Sequence, residues 1–420
     1  MSILPAGPSG PPAVSRRAGL RALGAACLAV AWPGALIFGY PGVMGPHWQE
    51  ALGLSRAAVG GTLFFVLAAV GAFMLPVGRL QARLGTGRLV LAGEALTAAS
   101  LLLTAAPSGA WSLYAWGFAV GTASCLVYLP SLTAVQLWFP RQRGLASGVL
   151  NLCFAGSAAL AAPALGWAVA GFGYGAAHYA LAILVLVAGG AAARGVAPPL
   201  PPGGRPAPSD ASVPRSLAEI VRTRAFWLLW STWALQGAAG IAMVTLAVPL
   251  GLARGASLAG AVFVLTCFNL ANGGSRVVVG LLSDRVGRRP VLCVAFLGAG
   301  AAYFGLPAVD TVGATAILAA GVGVAFGTLF TVSAPLAVEC FGAAHFGSVL
   351  GLVFTAYGFL SGLLGPWVSG LLLDRGGGDP LLPCLYLGAL CWVSALLILG
   401  VRPRGGQGSG TGGTRGETRR

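Results

Sequence analysis

Of 420 residues, 57% are hydrophobic and only 8% are charged, against about a quarter charged in an ordinary soluble domain; this excludes a water-soluble globular protein. A net charge of +15 invites a nucleic-acid reading, but every basic residue is an arginine, and the arginines fall in tails and loops between apolar runs. Their placement is topological, and no nucleic-acid partner is expected.

In chain order, residues 1–19 are rich in Pro and Gly and lack an A-x-A-like cleavage site closing a short apolar region, so they read as a retained tail. Six apolar runs follow at 20–44, 56–78, 88–106, 111–137, 144–170 and 174–194, each of about 20 residues or more, enough to cross a hydrocarbon core of about 30 Å. They form a first half, 20–194. His47, near the outer end of span 1, and Glu94, about two turns inside span 3, are the candidate proton-coupling groups. The segment 195–224 is a Pro/Gly/Ser-rich linker whose last stretch, SLAEIVRTR, suits a short amphipathic helix at the membrane surface. Six more runs, at 225–251, 258–282, 290–309, 312–338, 346–372 and 381–401, form a second half, 225–401, and a tail, 402–420, ends the chain.

An even number of crossings puts both termini on one side. The odd-numbered loops carry only Arg56, Arg254 and Arg375, whereas the termini and even-numbered loops are arginine-rich, so both termini, the linker and both tails are expected in the cytoplasm. The expected location is the plasma membrane. Eight cysteines lie in or beside apolar runs without paired metal-site spacing and read as free thiols. No HExxH, GxSxG, P-loop or His/Cys cluster is present, so no enzyme, cofactor or metal is expected.

One arginine is left over. Arg276 lies inside span 8, where an arginine costs at least about 2.5–3.5 kcal/mol and generally faces a cavity or pathway. Asn269, Asn272 and Arg276 stand at i, i+3 and i+7, giving one polar helix face. A guanidinium can donate two parallel hydrogen bonds to a carboxylate, and one cation matches one carboxylate. Tyr128, Asn151, Gln236, Thr355 and Tyr357 are candidates to complete a binding cavity, as hydroxyls and amides orient an anion without adding charge. A structural ion pair and a side chain reaching back to the interface are the competing readings of Arg276.

The halves repeat at an offset of 202 residues: GRLQARLG (78–85) aligns with GLLSDRVG (280–287), and RGLASGV (143–149) with HFGSVLG (345–351). GLLSDRVGRR (280–289) is similar to the signature loop of the major facilitator superfamily. WFPRQRGLASGV (138–149) and GLVFTAYGFLSGLLGP (351–366) resemble the monocarboxylate transporters and the oxalate:formate antiporter group. The resemblance implies an all-α polytopic membrane protein with twelve transmembrane helices in two six-helix bundles, the major facilitator fold, working by alternating access. It also implies that the span-8 arginine binds a substrate carboxylate, and that Asp284, Arg285, Arg288, Arg289 and Glu339 form a gating charge network that locks one conformation.

This sequence departs from those groups in three places: Tyr357 stands where oxalate carriers have a lysine, Asn272 where the animal monocarboxylate transporters have an acid, and span 1 has no lysine. The expected function is a secondary transporter in the lipid bilayer for a small, lactate- or pyruvate-like monocarboxylate, with protons or a counter-anion as the coupling partner. A carrier of another solute, a drug or neutral metabolite, and a non-transporting receptor or scaffold are the alternatives.

Overall fold

The computed structural model describes residues 16–139, 142–199, 217–341 and 346–402. Most of both expected tails and the middle of the expected linker lie outside the described residues, as do 140–141 and 342–345. Among the described residues twelve helices are long and apolar enough to cross a membrane: Arg16–Leu52, Arg56–Gly78, Thr86–Ala105, Ala110–Trp138, Leu145–Phe172, Tyr174–Gly195, Arg224–Ala253, Leu258–Val286, Arg288–Ala308, Val312–Phe341, Val349–Arg375 and Leu381–Gly400. These are spans 1 to 12 below, one for each apolar run of the sequence. Among the described residues there is no strand, because in hydrocarbon a helix satisfies its backbone groups within its own segment. The expected surface helix before span 7 is a single short turn, Leu217–Val221.

The repeat is physical. Ser55 and Ser257 cap spans 2 and 8, accepting from the backbone N–H of Ala58 at 3.1 Å and of Gly260 at 3.3 Å, and satisfy a donor that the first helical turn leaves unpaired. At the other ends of those helices stand Gly85 (φ 82°) and Gly287 (φ 99°), each with ψ beyond 150°, a region essentially restricted to glycine. Cap and terminator keep the 202-residue offset.

Within the first half, span 1 packs on spans 4 and 5, and span 3 on spans 4 and 6; within the second, span 8 packs on span 10, and span 12 on spans 7 and 9. Two long seams join the halves, span 2 against span 11 and span 5 against span 8. Each depends on a glycine pair. A Cβ on Gly358 would sit 2.5 Å from the Cα of Gly71, and one on Gly273 would sit 2.9 Å from the Cα of Gly156. Gly71 and Gly273 are 202 residues apart, and so are Gly156 and Gly358, so the seams are two copies of one close contact between small residues.

Three spans are irregular. Span 1 is interrupted at Gly39, between helices Arg16–Phe38 and Tyr40–Leu52, where Pro41 has no N–H to return to the carbonyl one turn earlier. Span 6 contains the π-turn Val185–Gly189. Span 11 contains two, Ala356–Ser361 and Leu363–Trp367, the second including Pro366. The Leu364 carbonyl there accepts from the Tyr386 hydroxyl of span 12 at 2.9 Å, as expected where neighbouring helices re-satisfy a disturbed backbone.

Candidate anion-binding site

Span 8 continues to Val286, so Arg276 lies about 15 Å from that helix end at 1.5 Å per residue. Its side chain does not reach back toward the interface. The residue is 2% exposed, and its guanidinium donates from Nη1 to Asn151 Oδ1 and from Nη2 to Asn272 Oδ1, both at 3.3 Å. Tyr128 also donates to Asn151 Oδ1, at 2.7 Å. Arg276 Cζ lies 4.9 Å from the centre of the Phe330 ring, a cation–π contact. Tyr128 of span 4 thus shares an acceptor with the cation, and Tyr357 of span 11 packs on Phe330, the ring that the cation faces. The Tyr357 ring stands edge-on to Phe330 at 5.3 Å and to Trp233 at 5.8 Å.

Two features set this cluster apart from a satisfied structural network. Among the described residues no carboxylate is ion-paired with Arg276, since the ion pairs are Arg56–Asp374, Arg288–Asp284 and Arg288–Glu339. In addition, two buried donors at the cation, Arg276 Nε and Asn272 Nδ2, have no partner. Unmatched buried donors beside a cation are costly, and a carboxylate supplies the acceptors they lack. Asn151 belongs to the first half and Arg276 to the second, so the site straddles the span 5–span 8 seam.

The remaining expected residues are placed elsewhere. Asn269 is buried on the same helix face as Asn272 and Arg276, but its Nδ2 crosses to span 1 and donates to the Phe38 carbonyl at 3.0 Å; it holds the two halves together at the span 1 break. Thr355 accepts from Trp230 Nε1 at 3.2 Å and donates to the Leu352 carbonyl at 2.6 Å. Gln236 is buried with both amide atoms unpartnered and lies beside Cys391 of span 12. Neither Thr355 nor Gln236 is hydrogen-bonded to the guanidinium, whose bonds go to Asn151 and Asn272.

Arg288 joins Glu339 at 2.6 Å and Asp284 at 3.0 Å, the Arg289 guanidinium donates to the Leu399 carbonyl, and Arg285 is exposed. All of these residues lie in the second half, so their bonds join spans 8, 9, 10 and 12 to one another. Glu94 is wholly buried with both carboxylate oxygens unpartnered, packed against Gly189 in the π-turn of span 6. His47 is half-buried and stacked on the Tyr174 ring at 4.3 Å.

Sequence reading missed a charged contact between the halves. At the end of span 11, Asp374 accepts from the backbone N–H groups of Arg56 and Ala57 at 3.1 and 3.0 Å, with the Arg56 side chain 3.8 Å away. An aspartate of one half thus caps a helix of the other, at the face opposite the termini, where negative charge complements the helix dipole. Also missed was a buried cluster of Tyr40, Thr104 and His178; its only sequence signal was the GYPG (39–42) break in span 1.

A family model described as "Major Facilitator Superfamily" matches residues 19–366 and 237–415. Among curated proteins, the chain is 29% identical to monocarboxylate transporter 11 of Homo sapiens, covering 78% of this chain and 71% of that protein. It is 26% identical to the oxalate:formate antiporter of Oxalobacter formigenes, over 64% and 65%, and 27% identical to the MFS-type transporter pynF of Aspergillus niger, over 76% and 73%. Among solved structures, a bacterial homolog to the human lysosomal transporter Spinster superposes with a TM-score of 0.67 at 12% identity, covering 93% of this chain and 95% of that one.

Proposed function

The chain belongs to the major facilitator superfamily, and from that premise we propose that it is a secondary transporter of a small monocarboxylate anion, lactate- or pyruvate-like, working by alternating access. The observation that carries this reading is the buried Arg276, without a carboxylate partner among the described residues and with unpaired donors beside it. Relatives named as a monocarboxylate transporter and an oxalate:formate antiporter support the same class of solute.

The substrate carboxylate replaces Asn151 and Asn272 as acceptor for the guanidinium, and also engages Nε and Asn272 Nδ2. Asn151 and Tyr128 approach from the first half, so the bound anion bridges both halves. Oxalate would bring a second negative charge for which the site has no second cation. With both termini cytoplasmic and the protein in a plasma membrane polarised inside negative, moving one anion inward against 100 mV costs about 2.3 kcal/mol. That holds the internal concentration about 50-fold below the external one, and proton symport or anion exchange removes the penalty.

A second reading, a carrier of a bulkier organic solute, draws on the aromatic wall of Trp233, Phe330, Phe354 and Tyr357. Uptake of labelled lactate, pyruvate, formate and oxalate into proteoliposomes under an imposed pH gradient separates the two. Saturable uptake of lactate or pyruvate, lost in Arg276→Gln, is the expected result. No uptake of any of the four, or uptake indifferent to Arg276, favours the second reading.

A further inference from the structure

Arginines of the linker face such as Arg83, Arg194 and Arg285 are exposed, whereas the adjacent Arg288 and Arg289, at the start of span 9, are half-buried. Arg288 has its counter-charges: it donates to Glu339 at 2.6 Å, to Asp284 at 3.0 Å and to the Ser283 hydroxyl at 3.3 Å. Arg289 does not. Its Nη2 donates to the Leu399 carbonyl at the end of span 12, while its buried Nε has no partner. Among the described residues no carboxylate is ion-paired with it.

Gly287, Arg288, Arg289, Pro290, Glu339 and Leu399 line a cavity of about 410 Å³ where spans 9, 10 and 12 meet. Glu339 is bonded to Arg288, so the cation left at this cavity without a counter-charge is Arg289. The span 9 helix starts at Arg288, behind Gly287, and no side chain caps it; its first backbone donors and its dipole therefore favour an anion at the same place. The positions 202 residues before Arg288, Arg289 and Glu339 are Thr86, Gly87 and Leu137. The first half has no copy of these charges.

The cavity stands above an apolar surface. One helical turn deeper than Pro290 and Leu399 are Val294 and Leu396, each 70% exposed. Spans 9 and 12 pack against each other, so a cation lacking a counter-charge sits at the head of an apolar seam that faces lipid. A free anion would use only the charged end of this arrangement. A molecule with a negative head and hydrocarbon chains uses both ends.

We propose that the cavity between spans 9 and 12 is a binding site for an anionic phospholipid of the leaflet on the linker side. The phosphate oxygens accept from Arg289 Nε and from the open end of the span 9 helix, as guanidinium groups and helix N-termini do for phosphates, and the acyl chains lie along Val294 and Leu396. Basic pockets between spans are where such headgroups are recognised. Nothing in this site depends on which solute is carried.

The test uses the full chain purified in detergent, with phosphatidylglycerol, phosphatidylcholine and inorganic phosphate as probes and retained lipid read by native mass spectrometry. Wild-type protein is expected to retain phosphatidylglycerol in preference to phosphatidylcholine. Arg289→Gln should weaken that retention at least about tenfold, the loss expected with a charge-assisted hydrogen bond, and Arg289→Lys should weaken it less. Arg83→Gln removes the same charge from an exposed position of the first half, and should change retention less than about twofold at about 0.15 M salt. Equal retention of the two lipids by wild type, unchanged retention by Arg289→Gln, or an equal loss in Arg83→Gln overturns the proposal. Displacement of the lipid by millimolar inorganic phosphate also overturns it, since the ligand would then be a free anion. A measurement on wild type alone covers a variant that fails to fold. Phosphatidylglycerol with a photoreactive diazirine near the top of its acyl chain, in phosphatidylcholine nanodiscs, should crosslink to spans 9 and 12 around Val294 and Leu396. Crosslinks spread evenly over the lipid-facing spans overturn the proposal.

Discussion

The span 2–span 11 seam and the span 5–span 8 seam are built from the same glycine pair, Gly71–Gly358 in one and Gly156–Gly273 in the other, yet they carry different chemistry. The first has its carboxylate at one end, where Asp374 caps span 2. The second has its cation in the middle, where Arg276 reaches Asn151. The positions 202 residues before Asn269, Asn272 and Arg276 are Leu67, Val70 and Met74, so the polar face of span 8 has no copy in span 2. Duplication explains the packing, and the departures from it mark where the halves are fastened and, on the function proposed above, where a solute is held. A rocking carrier needs both: seams loose enough to slide, and polar contacts that differ between its end states.

The comparison breaks most visibly at Arg276. Arg276→Gln removes the charge-assisted hydrogen bonds to a carboxylate, each about 1.5–3 kcal/mol, and should lower transport about 100-fold or more with the protein still folded, read as initial uptake rates normalised to reconstituted protein. Arg276→Lys keeps the charge but loses the planar fork, and should fall between wild type and Gln.

Next come the glycine pairs. Gly358→Ala and Gly273→Ala each push a methyl into the partner backbone and should destabilise by about 1–3 kcal/mol. Gly358→Ala should cost more, because its contact is the closer one, measured as thermal unfolding in detergent. If either substitution is neutral, the seams are not equivalent.

A smaller effect is expected at the cap. Asp374→Asn weakens a helix cap worth about 1 kcal/mol that only one seam possesses. It should shift the conformational balance about fivefold toward opening at the face opposite the termini, read from labelling of a cysteine introduced near Leu250. The smallest belongs to Asp284→Asn. Its partner Arg288 also holds Glu339, the aspartate is largely exposed, and such pairs are worth about 0–1 kcal/mol. The network joins spans of one half, so Asp284→Asn should leave accessibility of a cysteine at the linker face unchanged. A large change there would make this network a gate between the halves.

The span pattern was legible in the sequence because about 20 apolar residues per crossing is a local property. The repeat was legible too, since Gly85 and Gly287 occupy turns that glycine alone tolerates. The polar stripe of span 8 follows from helical spacing, and so does the burial of all three of its members. What one of them touches does not follow: Asn269 uses its amide on the Phe38 carbonyl of the other half, a contact only the assembled bundles create. Gln236 and Thr355 read as cavity candidates by residue type, but helix rotation turns them toward neighbours in their own half. Asp374 was hidden for a related reason: it caps a helix more than 300 positions away, and an aspartate at the end of a span reads as ordinary loop polarity. His178 is a lone histidine in an apolar run of the sequence, and only the fold sets Tyr40 and, through it, Thr104 beside it.

The most direct test of the account is equilibrium binding of labelled lactate and pyruvate to the purified protein, wild type against Arg276→Gln, at one pH and with matched thermal stability. The account predicts saturable binding to wild type and none to the variant. Equal binding by both, in well-folded protein, would contradict it.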